Sequence, residues 1–416
     1  MSKRLEFIDV ARGFAVLLMV MWHSADAWVR TDLRSGASWT ALVYLGGMAA
    51  PLFTSLAGVA GGLRAHRAAD RPFDAAVMRG QVGRGLEILV LGYALRMQMW
   101  MIDGGGLVSG WGWQVWVPGT IAILLALAAA KRLEAAPKTS AWQLALAVAL
   151  YTFALLRLGA TIPERPYGLM RVDILQCIGA SLIITALLER VLGAKVGRAL
   201  VLAAAAAILA PYLERALPGL LPRPIAAYLA RWPSIAGERP LAGFPLFPWI
   251  AYAFIGRAVG LTIATHKAQE TLGKAAACAL AIGALLSVGA NETLQWKLGT
   301  MSALPDIVYV VRVLARVGNL LFVLGLTYFA TGSERVRTSF VWALGQSSLF
   351  VYWVHMEFAY GIASKPIKLE LDLGEWFAAF ASLMALMVAL VYVKRTKRVD
   401  AWLDRGERLL DGKSPA

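Results

Sequence analysis

The apolar residues of this chain fall in runs of about 17–25 residues, divided by short segments rich in charge, proline or glycine, and that spacing limits the fold more than any other feature. A run of this length wound as a helix crosses the hydrocarbon of a bilayer, where only structures that satisfy their own backbone hydrogen bonds persist. Runs at roughly 8–29, 41–63, 85–101, 114–130, 141–159, 173–192, 197–214, 244–264, 272–290, 306–330, 340–362 and 375–393 predict about twelve spans, with 10–12 a workable range. The seventh is the weakest, because Pro211 and Glu214 cut it short. The expected architecture is an all-α, polytopic transmembrane helical bundle forming a single domain over residues 1–416. Composition agrees: 59% of the residues are apolar and 16% charged, more apolar surface than a soluble globular domain needs.

Lysine and arginine orient the bundle. Arg64, Arg67, Arg71, Arg79 and Arg84 share one expected side with Lys131, Arg132, Lys138, Arg190, Lys195, Arg198, Lys267, Lys274, Arg335, Arg337 and the run Lys394-Arg395-Thr396-Lys397-Arg398. The positive-inside rule makes that side cytoplasmic, with both termini on it. The opposite side is poorer in cations, with no basic residue in 102–113 and only Lys297 in 291–305, although the proline-rich loop near 215–239 carries four arginines. The net charge of +15 therefore follows from topology and from membrane lipids with anionic headgroups, and nucleic acid is excluded as a partner. The first apolar segment is too long for a signal-peptide core and lacks a small-residue cleavage site, so it is expected to be retained.

Ionisable groups inside an apolar span are costly and are functional candidates by default. The first span carries Asp9, Arg12, His23 and Asp26, and on a helix all of them, with Met19, lie within about 60° of Arg12. At the helical rise, Arg12 and His23 are roughly 16 Å apart along the axis, so one stripe joins a cation near one membrane surface to an imidazole near the other. Arg96 lies well inside its span, whereas Arg84 reads as a topology anchor at a helix end. Asp173 and Gln176 are one turn apart at the start of the sixth span, and His355 lies mid-span near Glu357.

Other chemistries lack their residues. Cys177 and Cys278 are far apart, and no HExxH, GxxxxGK[ST] or GxSxG segment occurs, so no metal, phosphate-loop or serine-triad site is expected. Gly104-Gly105-Gly106 reads as a connector. His66 and His266 sit in basic loops and are expected to be solvated.

Four blocks carry a resemblance. They are Arg4…Ile8-Asp9-Val-Ala-Arg12-Gly13…Met19…His23, Ala50-Pro51-Leu-Phe53…Ala57-Gly58-Val59, Asp173-Ile-Leu175-Gln176-Cys-Ile-Gly179, and Phe244-Pro245-Leu-Phe247-Pro248-Trp249…Gly256…Gly260. In this order they resemble the heparan-α-glucosaminide N-acetyltransferase catalytic-domain family, and Leu344-Gly345…Leu349…Tyr352…His355 resembles its carboxy-terminal helix. The first block also resembles integral-membrane acyltransferases that O-acetylate bacterial surface polysaccharides. The resemblance implies a transmembrane acyltransferase of the bacterial cytoplasmic (inner) membrane. It would carry an acetyl group from cytosolic acetyl-coenzyme A, the acyl donor, to an amine or hydroxyl of a sugar or glycan acceptor outside. A homo-oligomer is compatible with such a bundle.

Within that reading His23 matches the family's first-helix histidine. Its imidazole can take a proton from an attacking amine or hydroxyl, or accept the acyl group itself. Asp26, one turn on, can hold the ring in the useful tautomer. The competing reading is a polar pair emerging at the membrane surface. Asp9 and Arg12 form either an i,i+3 ion pair or, with Arg96, a lining for the donor's phosphates; Gly13 beside Arg12 permits close backbone approach. Asp173 and Gln176 orient either an acceptor or merely the start of a helix. A substrate role for Trp249 rests on the resemblance alone, and His355 is a site candidate or a packing histidine. Trp111, Trp113, Trp116 and Trp232 suit a sugar ring and an interfacial belt equally. The alternative to an enzyme is a multispan transporter or exporter whose intramembrane charges line a substrate or proton path.

Overall fold

A computed structural model describes residues 5–67, 75–102, 106–162, 166–231, 241–265, 269–297 and 305–396. They form α1 (Glu6–Trp28), α2 (Gly36–Arg67), α3 (Ala75–Ile102), α4 (Trp113–Arg132), α5 (Pro137–Thr161), α6 (Pro166–Met170), α7 (Ile174–Leu192), α8 (Val196–Leu220), α9 (Arg223–Leu229), α10 (Leu246–Thr265), α11 (Gln269–Lys297), α12 (Pro305–Ala330), α13 (Glu334–Arg337), α14 (Phe340–Gln346), α15 (Ser348–Tyr360) and α16 (Leu373–Lys394). The fold is all-α among the described residues, with isolated bridges only at Val29–Leu371 and Val172–Ala242. Arg71, Gly104, Gly105, Trp232, His266, Lys267, Lys397, Arg398 and the side chain of His66 fall outside the described residues.

Among the described residues, ten helices are long and apolar enough to cross a membrane: α1, α2, α4, α5, α7, α8, α10, α11, α12 and α16. Two of the twelve expected spans differ from this set. The run at 85–101 is one helix, α3, but Glu87, Arg96 and Gln98 dilute its apolar character. The run at 340–362 is not a single helix. Its chain turns at Ser347, whose N–H closes α14 on the carbonyls of Ala343 and Leu344 at 3.2 and 3.1 Å, while its own carbonyl accepts from Val351 N–H at 3.0 Å to open α15.

The chain groups into two compact units, Met1–Ala49 with Thr327–Ala416, and Ala50–Leu326. In the first, α1 packs against α14, α15 and α16. Lipid tails are as apolar as leucine, so association inside a bilayer rests on close van der Waals fit, and small residues permit it. A Cβ on Gly13 would fall on the carbonyl oxygen of Val341, and one on Gly345 would fall on that of Asp9, so α1 and α14 meet backbone to backbone. The open side of Gly13 is thus filled by α14. Two tryptophans fasten the other end of α1: Trp28 Nε1 donates to Ala359 O at 3.1 Å, and Trp376 Nε1 to Ser24 Oγ at 3.1 Å. Backbone bonds from Leu369 N–H to Ala27 O at 3.1 Å and from Leu371 N–H to Trp28 O at 3.0 Å add a strap. These contacts hold α15 alongside the His23 end of α1.

In the second unit, α3 packs on α4 and α7, and α10 on α7 and α8. Gly85 of α3 and Gly179 of α7 each lie so close to the other's carbonyl oxygen that a Cβ would stand 2.8 and 2.6 Å from it. The Val172 N–H donates to Leu241 O at 3.0 Å and Gly243 N–H to Val172 O at 2.9 Å, which sets the start of α7 beside the segment leading into α10. Phe247 is extended at φ −98°, ψ 128°, so the Phe244–Trp249 block kinks where its prolines predict an irregular start.

Candidate functional site

The first unit brings together two histidines separated by 332 residues in sequence: His23 Nδ1 and His355 Nε2 are 2.8 Å apart. The ring planes are within 4° of parallel and the centroids 5.1 Å apart, as for two imidazoles joined edge to edge through those nitrogens. His355 is fully buried, and its other nitrogen, Nδ1, lies 2.8 Å from the carbonyl oxygen of Val351. A carbonyl only accepts, so His355 Nδ1 carries a proton and, in the neutral ring, Nε2 is an acceptor. His23 Nδ1–H then donates to it, and the lone pair of His23 is left on Nε2. His23 is half-buried while His355 is closed off, so the free Nε2 lone pair belongs to the less enclosed ring.

The surroundings of this pair are aromatic and acidic. Tyr360 packs its ring edge-on against His23, centroids 5.6 Å apart, and donates its hydroxyl to Asp26 Oδ2 at 2.9 Å. Tyr352 stands edge-on to His355 at 5.7 Å. Asp26 also faces Arg34 Nη1 at 3.8 Å, and Arg34 Nη2 donates to the Asp26 carbonyl oxygen at 2.6 Å. The orienting partner of the His23 ring is therefore His355, and Asp26 is engaged with Tyr360 and Arg34. Beyond the end of α1, a hydrogen bond from Arg30 holds the exposed Asp32 carboxyl below its ordinary range, so Asp32 stays ionised and offers no acid. At the opposite end of α1, Arg12 Nη1 donates to Asp9 Oδ1 at 3.2 Å, which forms the i,i+3 ion pair. The Asp9 side chain is 5% exposed and that of Arg12 is 25% exposed, so the pair is closed on one side and open on the other.

The remaining candidates lie in the second unit. Asp173 is ion-paired with Arg96, and Arg171 Nε stands 3.6 Å from its other oxygen. Arg96, expected to line the donor site with Asp9 and Arg12, is thus bonded to a residue expected on the acceptor side, because α3 and α7 are antiparallel neighbours and bring these two to one level. Asp173 and Gln176 form a capping box at the start of α7, with Asp173 N–H donating to Gln176 Oε1 at 3.1 Å. Gln176 is fully buried, and among the described residues its Nε2 has no hydrogen-bond partner. Trp249 packs edge-on against Phe244 at 4.8 Å and Tyr252 at 5.6 Å, with the Arg316 guanidinium 5.3 Å from its ring centre.

A further buried cluster escaped the sequence reading. Arg257, 2% exposed, is bonded through Nε and Nη2 to both carboxylate oxygens of Glu189, 6% exposed, and Nη2 also donates to Gln81 Oε1 at 3.0 Å. The available signal was the position of Arg257 between Gly256 and Gly260, well inside an apolar run. Tyr360 and the Val351 carbonyl carried no such signal.

The blocks noted in the sequence agree with a comparison against known families. The model of the family described as heparan-α-glucosaminide N-acetyltransferase, catalytic, matches residues 4–296, more than half of the chain, and stops short of His355. No curated protein and no solved structure matches the chain. With its match beginning at the helix that carries His23 and running through the Asp173 and Trp249 blocks, the chain belongs to the heparan-α-glucosaminide N-acetyltransferase catalytic-domain family of transmembrane acetyltransferases.

Proposed function

We propose that this protein moves an acetyl group from acetyl-coenzyme A, taken up on the cytoplasmic side, to an amine or hydroxyl of a sugar or glycan on the outer side, and that His23 Nε2 is the reacting base. The observation that carries this reading is the hydrogen-bonded chain from the Val351 carbonyl through His355 to His23, which leaves a lone pair on Nε2 of the half-buried ring. That nitrogen takes the proton of the attacking acceptor as its nitrogen or oxygen bonds to the acyl carbon. The carbon–sulfur bond breaks, and the proton held on Nε2 passes to the departing thiolate, so the ring ends as it began.

The partly open Arg12 beside the buried Asp9 suits a phosphate of the donor, and the roughly 16 Å from Arg12 to His23 along α1 suits an extended thioester arm. Contact of Asp173, Gln176 and Trp249 with the acceptor rests on the family blocks that carry them. Proteoliposomes holding the purified protein and no ion gradient test the enzyme reading against transport. Release of coenzyme A thiol from acetyl-coenzyme A, accelerated by an amino sugar, supports acetyl transfer; flux of an acceptor with no thiol release contradicts it.

A further inference from the structure

At the end of α7 away from Asp173, the chain makes a tight turn into α8, and a shallow cleft, open to solvent, lies against this turn. Its floor is the Arg257–Glu189 pair, whose charges cancel, and its apolar wall comes from Leu188, Leu192, Leu202 and Phe254. The remaining charges in the lining are Lys195 and Arg198, both exposed and without an ion-pair partner among the described residues. Gly193, at φ +77°, makes the turn possible, and Arg198 Nη1 lies 2.9 Å from where a Cβ of that residue would stand, so the guanidinium folds back over the bare glycine toward the cleft.

The net excess of two positive charges over a neutral floor selects an anion, and a phosphate ester, with one or two negative charges, matches its sign. The apolar wall does not end at the cleft. Val191 is 81% exposed and Val201 is 68% exposed, so hydrocarbon-compatible surface runs on from it along α7 and α8. Basic pockets between membrane helices on the cytoplasmic side are where anionic headgroups dock, and Lys195 and Arg198 belong to the cations that the charge asymmetry assigns to that side.

We propose that this cleft is a binding site for a phosphate ester presented at the membrane surface. Lys195 and Arg198 hold the oxyanion, and the wall of Leu188, Leu192 and Leu202 receives the apolar part of its carrier. An anionic phospholipid supplies both parts; a soluble nucleotide phosphate supplies the oxyanion alone.

The experiment compares full-length wild-type protein in nanodiscs with the K195Q/R198Q double variant and with a K131Q/R132Q control that removes two exposed cations elsewhere on the same expected side. Lipids retained after extraction are counted by native mass spectrometry from discs of phosphatidylglycerol or phosphatidylcholine. Adenosine 3′,5′-bisphosphate binding is measured in parallel. Retention of phosphatidylglycerol over phosphatidylcholine that falls by roughly tenfold or more in K195Q/R198Q, with the control unchanged, establishes the lipid source. A loss confined to the bisphosphate establishes the phosphate site with a soluble source. Equal binding of both probes by wild type and K195Q/R198Q, or an equal loss in the control, overturns the proposal. None of these readouts needs acetyl transfer, so this site stands or falls apart from the assignment of His23.

Discussion

The two units differ in their buried polar groups, an ion pair in one and a pair of imidazoles in the other, although α1 also carries the Asp9–Arg12 ion pair at its far end. In Ala50–Leu326 the buried Arg257 is paired with the buried Glu189, and the half-buried Arg96 with Asp173. The Arg257–Glu189 pair is locked, since moving a proton would leave an uncompensated charge in a dry interior. In the unit built from α1 and the carboxy-terminal helices, two imidazoles share a single proton position, and either ring can exist neutral. The first arrangement keeps its geometry and the second keeps its reactivity. On the proposed mechanism the imidazole pair passes a proton because both rings are neutral at rest, while the Arg257–Glu189 pair holds α7 and α10 in register.

His23→Ala tests the reactive side and has the largest expected effect: acetyl transfer falls by about 10²–10⁴-fold while the protein stays folded and binds acetyl-coenzyme A. Near-native turnover in that variant would remove His23 from the chemistry. Arg257→Ala tests the locked side. Removing one partner of a buried pair costs about 3–5 kcal/mol of stability, so this variant should unfold at lower temperature, while Arg257→Met with Glu189→Leu should recover most of the loss. An Arg257→Ala protein of normal stability and lost turnover would put the pair in the reaction instead.

His355→Gln separates orientation from chemistry. It keeps a hydrogen-bonding side chain beside His23 but frees the tautomer, and turnover should fall on the order of 10–100-fold, the range for partners that orient metal-bound histidines. The Michaelis constant for the donor should hold, and a rise in that constant alone would make His355 a binding residue. Tyr360→Phe removes the hydroxyl from Asp26 and leaves the ring against His23; the loss of a single hydrogen bond, about 0.5–1.5 kcal/mol, predicts a change of only a few-fold in turnover. A loss as large as that of His23→Ala would move the centre of the site to Tyr360.

What could be read from sequence was what one helix carries. Asp9, Arg12, His23 and Asp26 share a face by periodicity alone, and the Asp9–Arg12 pair follows from their spacing. The capping box at Asp173 is equally local. The His23–His355 bond spans 332 residues and depends on the backbone contact of α1 with α14 through Gly13 and Gly345, which no pattern in either segment specifies. The turn at Ser347 was hidden because the residues on both sides are apolar enough to continue a span. The ion pair of Arg96 with Asp173 was hidden for the same reason: the depth of Arg96 along α3 was visible, but its neighbour on α7 was not.

The proton position on His23 is measured most directly by ¹⁵N NMR of histidine-labelled protein above neutral pH. The chain has only 4 histidines, so single substitutions assign every ring. The geometry predicts that both His23 and His355 carry their proton on Nδ1, with His23 Nε2 resonating as an unprotonated nitrogen, and that His355→Gln erases the preference at His23. A proton found on His23 Nε2 in the resting protein would contradict the assignment of that nitrogen as the base.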